Sequence, residues 1–248
     1  MKLKVLGSSS SGNCYLLENK DEILILEAGI AYKKVLQEIN FKYRAIKGVV
    51  TSHSHGDHSG CLKEFTANGI LTLCTKDTIA RQKLQYYNVT PIEDGASYQL
   101  GNFKISVFAV KHDVECYGFY IQHEEMGSLV FATDTQYIEW VFNDVNHIMV
   151  EANYAMDILD ENVYLGRIPR MLRDRIMKSH TSFDTAKNMV KANLNEELRN
   201  VIMIHLSDGN SDEKRFVDEM KKIVAGNPYS GVCAARKGTV IDLSLVPF

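Results

Sequence analysis

One stretch constrains this chain more than any other. The apolar run Gly48-Val49-Val50-Thr51 opens directly into Ser52-His53-Ser54-His55-Gly56-Asp57-His58-Ser59-Gly60. Imidazole and carboxylate are the groups that hold Zn²⁺ and similar ions, and the end of a strand is a rigid place to mount them. His53 and His55 lie two apart, so an extended segment aims both to one side. Asp57 and His58 are adjacent and diverge, which suits a second ion beside the first.

The rest of the chain predicts the setting. Short runs rich in Val, Ile, Phe, Tyr and Leu predict strands at 3–6, 14–17, 23–26, 48–51, 103–109, 118–121, 128–133, 148–151 and 200–204. Runs at 233–236 and 239–243 flank Lys237-Gly238 and predict a closing hairpin. Between the strands, Ile168, Leu172 and Ile176 form a helical stripe, with Pro169 suited to a first turn. Ser182 caps a second helix, and 212–224 carries Phe216, Met220 and Ile223 on one face. With 248 residues, and neither an internal repeat nor a Pro/Gly-rich linker, the sequence predicts one α/β domain over 1–248.

Composition narrows the function classes. A 45% hydrophobic and 24% charged chain is globular rather than disordered. Its net charge of −3 excludes a globally basic nucleic-acid binder but leaves room for a local basic groove. Five widely spaced cysteines without a CxxC argue against a disulfide framework or a zinc ribbon. No apolar run approaches the roughly 18 residues of a membrane span. The first apolar stretch is too short for a secretion signal. The expectation is a cytoplasmic protein with no membrane contact. Oligomeric state is left open, a homodimer among the options.

The motif His53-x-His55-x-Asp57-His58 resembles the signature of the metallo-β-lactamase superfamily, and further members of that pattern follow in order, each after a strand. His112 stands in Val110-Lys111-His112-Asp113, Asp134 in Thr133-Asp134-Thr135 and His205 in Ile204-His205-Leu206. The resemblance implies that His53, His55 and His112 hold one divalent ion and Asp57, His58 and His205 a second, with Asp134 bridging. It implies a four-layer αββα sandwich of two mixed sheets with outer helices, while the donor set leaves Zn²⁺ and Mn²⁺ both open, its nitrogens leaning to zinc and its carboxylates accepting manganese. Gly7-Ser8-Ser9-Ser10-Ser11-Gly12-Asn13, Thr133-Asp134-Thr135, Glu151-Ala152-Asn153 and Ser179-His180-Thr181-Ser182 are similar to segments of the YycJ/WalJ-like branch. His123 and His147 match nothing and are expected at the surface. Where most members carry Asp-Ala-Gly, this chain has Glu27-Ala28-Gly29, so the acid behind the metal loop is one methylene longer. Ser179, Thr181 and Phe183 also depart from the branch pattern, as does Tyr154.

Metal ions lower the pKa of water from about 15.7 towards about 7 and neutralise charge on a phosphoryl or acyl oxygen. The site therefore says hydrolysis. The resemblance gives His180 contact with a scissile phosphate and protonation of the leaving oxygen, with Asp57 as a second catalytic residue. Arg167, Arg170, Arg173, Arg175 and Lys178 precede His180. Arg170 and Arg173 are candidates to track a phosphate backbone. Asn13 and Asn153 are candidates to line the site, by resemblance alone. The leading expectation is a phosphodiesterase of the DNA exonuclease type, with DNA as partner. The alternative substrate is a small cyclic nucleotide or cyclic phosphate ester. Thioester, lactone or β-lactam hydrolysis would leave His180 and the basic segment idle, and a metal-free scaffold would have no use for seven retained ligands.

Overall fold

The computed structural model describes residues 1–85 and 87–245. The apolar runs at the start become β1 (Lys2–Gly7), β2 (Cys14–Glu18), β3 (Ile23–Leu26) and, after helix α1 (Tyr32–Glu38), β4 (Ile46–Val50). The metal-type loop leads into the short helix α2 (Gly56–Ser59), then α3 (Leu62–Ala67), β5 (Thr72–Cys74), α4 (Lys76–Gln82) and β6 (Val89–Pro91). A meander follows as β7 (Ser97–Leu100), β8 (Phe103–Ala109) and β9 (Tyr117–His123). The remainder alternates as β10 (Gly127–Ala132), β11 (His147–Glu151), α5 (Met156–Tyr164), α6 (Arg170–Ser179), α7 (Phe183–Ala192), β12 (Asn200–Ile204), α8 (Glu213–Val224), β13 (Gly231–Ala234) and β14 (Val240–Asp242). The described strands form two mixed sheets of seven, in orders β14-β1-β2-β3-β4-β5-β6 and β13-β12-β11-β10-β9-β8-β7.

The chain divides into two compact units. The first comprises Met1–Ala109, Val114–Gly127 and Arg236–Phe248. Its core joins Leu16, Ile25 and Val49 of the sheet to Tyr32 and Val35 of α1 and Phe65 of α3. Tyr32 and Phe65 meet edge-on at 5.0 Å, the geometry that the ring quadrupoles favour. The second unit comprises Val110–Asp113 and Ser128–Ala235. Its strands β10 to β13 are all parallel, and β11 and β12 are near-continuous apolar runs, as buried parallel strands are. The Ser182 hydroxyl caps α7 by accepting the Thr185 N–H. Phe183 and Phe216 stack at 3.9 Å and join α7 to α8.

Several expectations need correction. The turn at Lys237-Gly238 forms, with Gly238 at φ +88°, but it closes no hairpin: β13 pairs with β12 and β14 with β1, in different sheets. On α8 the buried set is Phe216, Met220 and Val224, not Ile223, because i, i+4, i+8 spacing keeps Val224 on the face of the other two. Leu172 of the α6 stripe is exposed, and Ser179 is that helix's buried residue. His123 and His147 are buried rather than on the surface. His123 lies against the Phe103 ring at 4.6 Å, and His147 Nδ1 is 3.0 Å from the Asn200 amide. Strands β5, β6 and β7 went unpredicted: β5 and β6 are three residues long, too short to show an apolar pattern, and β7 ends its sheet. An end strand half-open to water needs no continuous apolar pattern.

Candidate metal centre

In the first unit, β4 delivers the metal-type loop. Thr51, Ser52, His53 and His58 are completely buried. The His53 ring lies 4.7 Å from His55 and 4.3 Å from His58. Three imidazoles this close repel one another if charged; as neutral rings they offer nitrogen lone pairs together, which is what a divalent cation requires. Second partners orient the rings. His53 Nδ1 is 2.8 Å from the Ser52 hydroxyl, and His58 Nδ1 is 3.5 Å from Glu27 Oε2. Such contacts at one ring nitrogen fix the tautomer and direct the other towards a ligand. Asp57 and His58 occupy the first turn of α2, with Asp57 Oδ2 3.4 Å from His58 Nε2.

Glu27 shows how the longer acid is accommodated. Its side chain is fully buried and accepts the Ser52 N–H at 3.2 Å while facing His58. Its backbone is left-handed, at φ +67°. A β-carbon on Gly29 would overlap the Asp57 carbonyl oxygen and come within 2.6 Å of the Asn13 N–H nitrogen. That close approach is where Asn13 N–H donates to the Asp57 carbonyl at 2.7 Å. The Asn13 amide also reaches His58 Nε2 at 3.0 Å, so Asn13 belongs to this cluster. Gly29→Ala should therefore lower stability by about 1–3 kcal/mol and displace the α2 loop. Urea unfolding of the metal-free chain measures this, and an unchanged midpoint would contradict the packing account.

In the second unit, His112 Nδ1 is 2.9 Å from the Ser179 carbonyl, again directing Nε2 elsewhere. Asp134 follows β10 and His205 follows β12, and both have left-handed backbones, at φ +39° and +52°. Non-glycine residues held this way cost about 1–3 kcal/mol each and cluster at functional sites. His205 Nδ1 is 2.7 Å from Asp134 Oδ1. Asp134 Oδ1 also accepts the Thr133 hydroxyl at 2.7 Å.

Glu151 at the end of β11 organises this half, and the sequence reading placed it only inside a motif. Fully buried, its Oε1 accepts from His180 Nδ1 at 2.7 Å and from His205 Nδ1 at 3.1 Å. Its Oε2 accepts the N–H groups of Thr181 and Thr135, at 2.9 and 3.3 Å. Asp134, Glu151, His180 and His205 each offer a donor atom within 4.8 Å of the others. The charges follow from these contacts. Burial opposes an imidazolium at His205, but Asp134 and Glu151 outweigh it and push its pKa up to about 10. Burial likewise opposes charge on His180, yet Glu151 and Asp134 hold its pKa above the ordinary imidazole value. Burial would raise the Glu151 carboxyl, but the neighbouring imidazoles hold it below the usual range. In the metal-free chain these contacts favour a protonated His205. The donor set fits a divalent ion, whose binding must displace that proton.

The remaining candidates fall as follows. The Asn153 amide donates to the His205 carbonyl at 2.9 Å, bracing the His205 segment. Arg173 is bound by Asp160 and Asp174, at 2.7 and 3.1 Å, so its charge is already countered. Arg170 is exposed on the first turn of α6. Of the five cysteines, Cys61 and Cys233 are half-buried and the others buried. Burial pushes the Cys74 thiol up to about 12, which keeps it protonated at neutral pH.

The family model described as "Beta-lactamase superfamily domain" matches residues 32–206. Exodeoxyribonuclease WalJ of Streptococcus pneumoniae serotype 2 (strain D39 / NCTC 7466) is 27% identical over 227 residues, covering 85% of this chain and 83% of the relative. Exodeoxyribonuclease YycJ of Bacillus anthracis is 22% identical over 229 residues, covering 86% and 85%. Among solved structures, the metallo-beta-lactamase fold protein YhfI from Bacillus subtilis matches with a TM-score of 0.73 at 18% identity, covering 97% of this chain and 99% of that one. The last likeness establishes the fold, which is the αββα metallo-β-lactamase fold. The chain belongs to the beta-lactamase superfamily and carries the donor set of a metal-dependent hydrolase.

Proposed function

We propose that the two units act as one catalytic domain, a dinuclear metal-dependent phosphodiesterase that works as a DNA exonuclease in the cytoplasm. In this assignment His53, His55 and His112 hold one ion, Asp57, His58 and His205 the other, and Asp134 bridges. The ions are Zn²⁺ or Mn²⁺: imidazole suits zinc, and the carboxylates also accept manganese. When bound, such ions activate water at neutral pH and neutralise charge developing on a phosphoryl oxygen. The chain's own residues do the rest. Asp57, partly open to solvent, accepts a proton from the attacking water. His180, whose Nδ1 is held by Glu151, keeps Nε2 for the phosphate and donates a proton to the leaving oxygen. Glu27 and Asn153 hold ligands in place. Exonuclease relatives aligned over most of the chain support DNA as the substrate.

The observation that carries this reading is the His180–Glu151 pair. A buried carboxylate holds the His180 ring at 2.7 Å, with Nδ1 3.7 Å from Asp134 Oδ2, and this orientation suits a proton donor to a phosphoryl leaving oxygen. His180→Ala should keep the bound metal and slow DNA hydrolysis by about 10²–10⁴-fold. A p-nitrophenyl phosphodiester, whose leaving group needs no proton, should lose far less. Loss of metal, or equal loss on both substrates, would make His180 structural. The countered charge on Arg173 favours one second reading, a small cyclic nucleotide as substrate.

A further inference from the structure

The segment 135–143 leaves Asp134 without regular secondary structure and is tied down at both ends. At its start the Gln136 N–H donates to the Lys111 carbonyl at 2.9 Å, and the Gln136 amide donates to the Lys178 carbonyl. The Thr135 hydroxyl reaches the carbonyls of Lys111 and Tyr137, at 3.1 and 2.8 Å. At its far end the Phe142 N–H donates to the Asn193 side chain at 2.6 Å. Between these anchors Tyr137 is 42%, Trp140 52% and Val141 60% exposed. Exposing apolar side chains together on a pinned strap wastes burial that folding would otherwise use.

The anchors place this strap. Lys111 adjoins His112, and Lys178 lies two residues before His180, so the aromatic pair starts from the backbone that carries proposed ligand and acid. Both lysines are exposed, and Glu139 is the single acid among residues 135–143. Exposed aromatic rings on a strap whose start is hydrogen-bonded to the backbone of Lys111 and Lys178 suit the stacking of unpaired bases, since every base has a π-face.

We propose that Tyr137 and Trp140 form a platform on which unpaired bases of a single-stranded DNA end stack, holding the strand while its phosphodiester lies at His180. This rests on the phosphodiesterase reading above and adds the substrate's form: a single strand, gripped by its bases.

Trp140 is the chain's only tryptophan, so its emission reports the platform directly. The metal-free full chain is titrated with a thymine oligonucleotide of about ten residues and with an abasic strand of equal length. Quenching by the base-bearing strand alone is expected. Equal quenching by the abasic strand, or no quenching while fluorescence anisotropy of the labelled oligonucleotide shows it bound, would overturn the proposal. Trp140→Ala should weaken binding and raise KM on DNA about tenfold, leaving turnover of bis(p-nitrophenyl) phosphate unchanged. Trp140→Phe should restore most of the affinity; equal loss in both variants would also overturn the platform. Absence of bis(p-nitrophenyl) phosphate turnover by the metal-loaded wild type would count against the phosphodiesterase reading, whatever the quenching result.

Discussion

Glu151→Gln should cost the metal-free chain about 3–5 kcal/mol of stability, the range for breaking a buried ion pair. Glutamine has the same shape, so no cavity forms. The defect is electrostatic and donor-to-donor. Four hydrogen-bond donors converge on the two Glu151 oxygens, and an amide can face only half of them without pointing its own N–H groups at the rest. The loss should carry a pH signature. His205 is raised from 6.5 to about 10, so its share of the stability is complete below pH 6.5 and fades as pH rises towards 10. Glu151 is lowered from 4.5, so its share is complete above pH 4.5 and is lost as pH falls below it. The wild-type advantage should therefore peak between pH 4.5 and 6.5 and shrink by pH 10. Denaturant titrations of both proteins across that range measure this. A difference independent of pH would mean that Glu151 acts through packing alone.

The second large effect is on metal and rate together. Asp134→Asn keeps the side-chain shape, and asparagine tolerates the left-handed backbone at φ +39°, so the fold should survive. What goes is the charge that pairs with His205 at 2.7 Å and faces His180 at 3.7 Å. The proposed bridge between two ions goes with it. Metal content should fall by at least one ion per chain, and hydrolysis by about 10³-fold or more. Elemental analysis beside a rate assay checks both, and unchanged turnover would sink the dinuclear assignment.

How much of this was legible in the sequence varies with distance along the chain. The His53, His55, Asp57 and His58 set could be read because a strand end and a short loop carry it within six residues. The later candidates could be ordered because each follows an apolar run. Glu151 could not be recognised as the organiser: its partners lie 16, 29, 30 and 54 residues away, and only the meeting of β11 with the end of α6 and the end of β12 brings them together. Nor does local composition announce left-handed backbones at Glu27, Asp134 and His205, since none is glycine. The pairing of Arg173 was hidden for a related reason. A basic run reads as free charge until Asp160, thirteen residues away, is seen to take it.

Phosphodiester hydrolysis at a two-metal centre is tested most directly by activity after metal repletion, with Mn²⁺ and Zn²⁺ separately. End-labelled single- and double-stranded DNA are compared with cyclic mononucleotides, and Asp134→Asn is the control. Progressive shortening of the DNA from one end by the wild type, absent in Asp134→Asn, is the predicted result. Cleavage of the cyclic mononucleotides with the DNA left intact, or equal activity in Asp134→Asn, would contradict it.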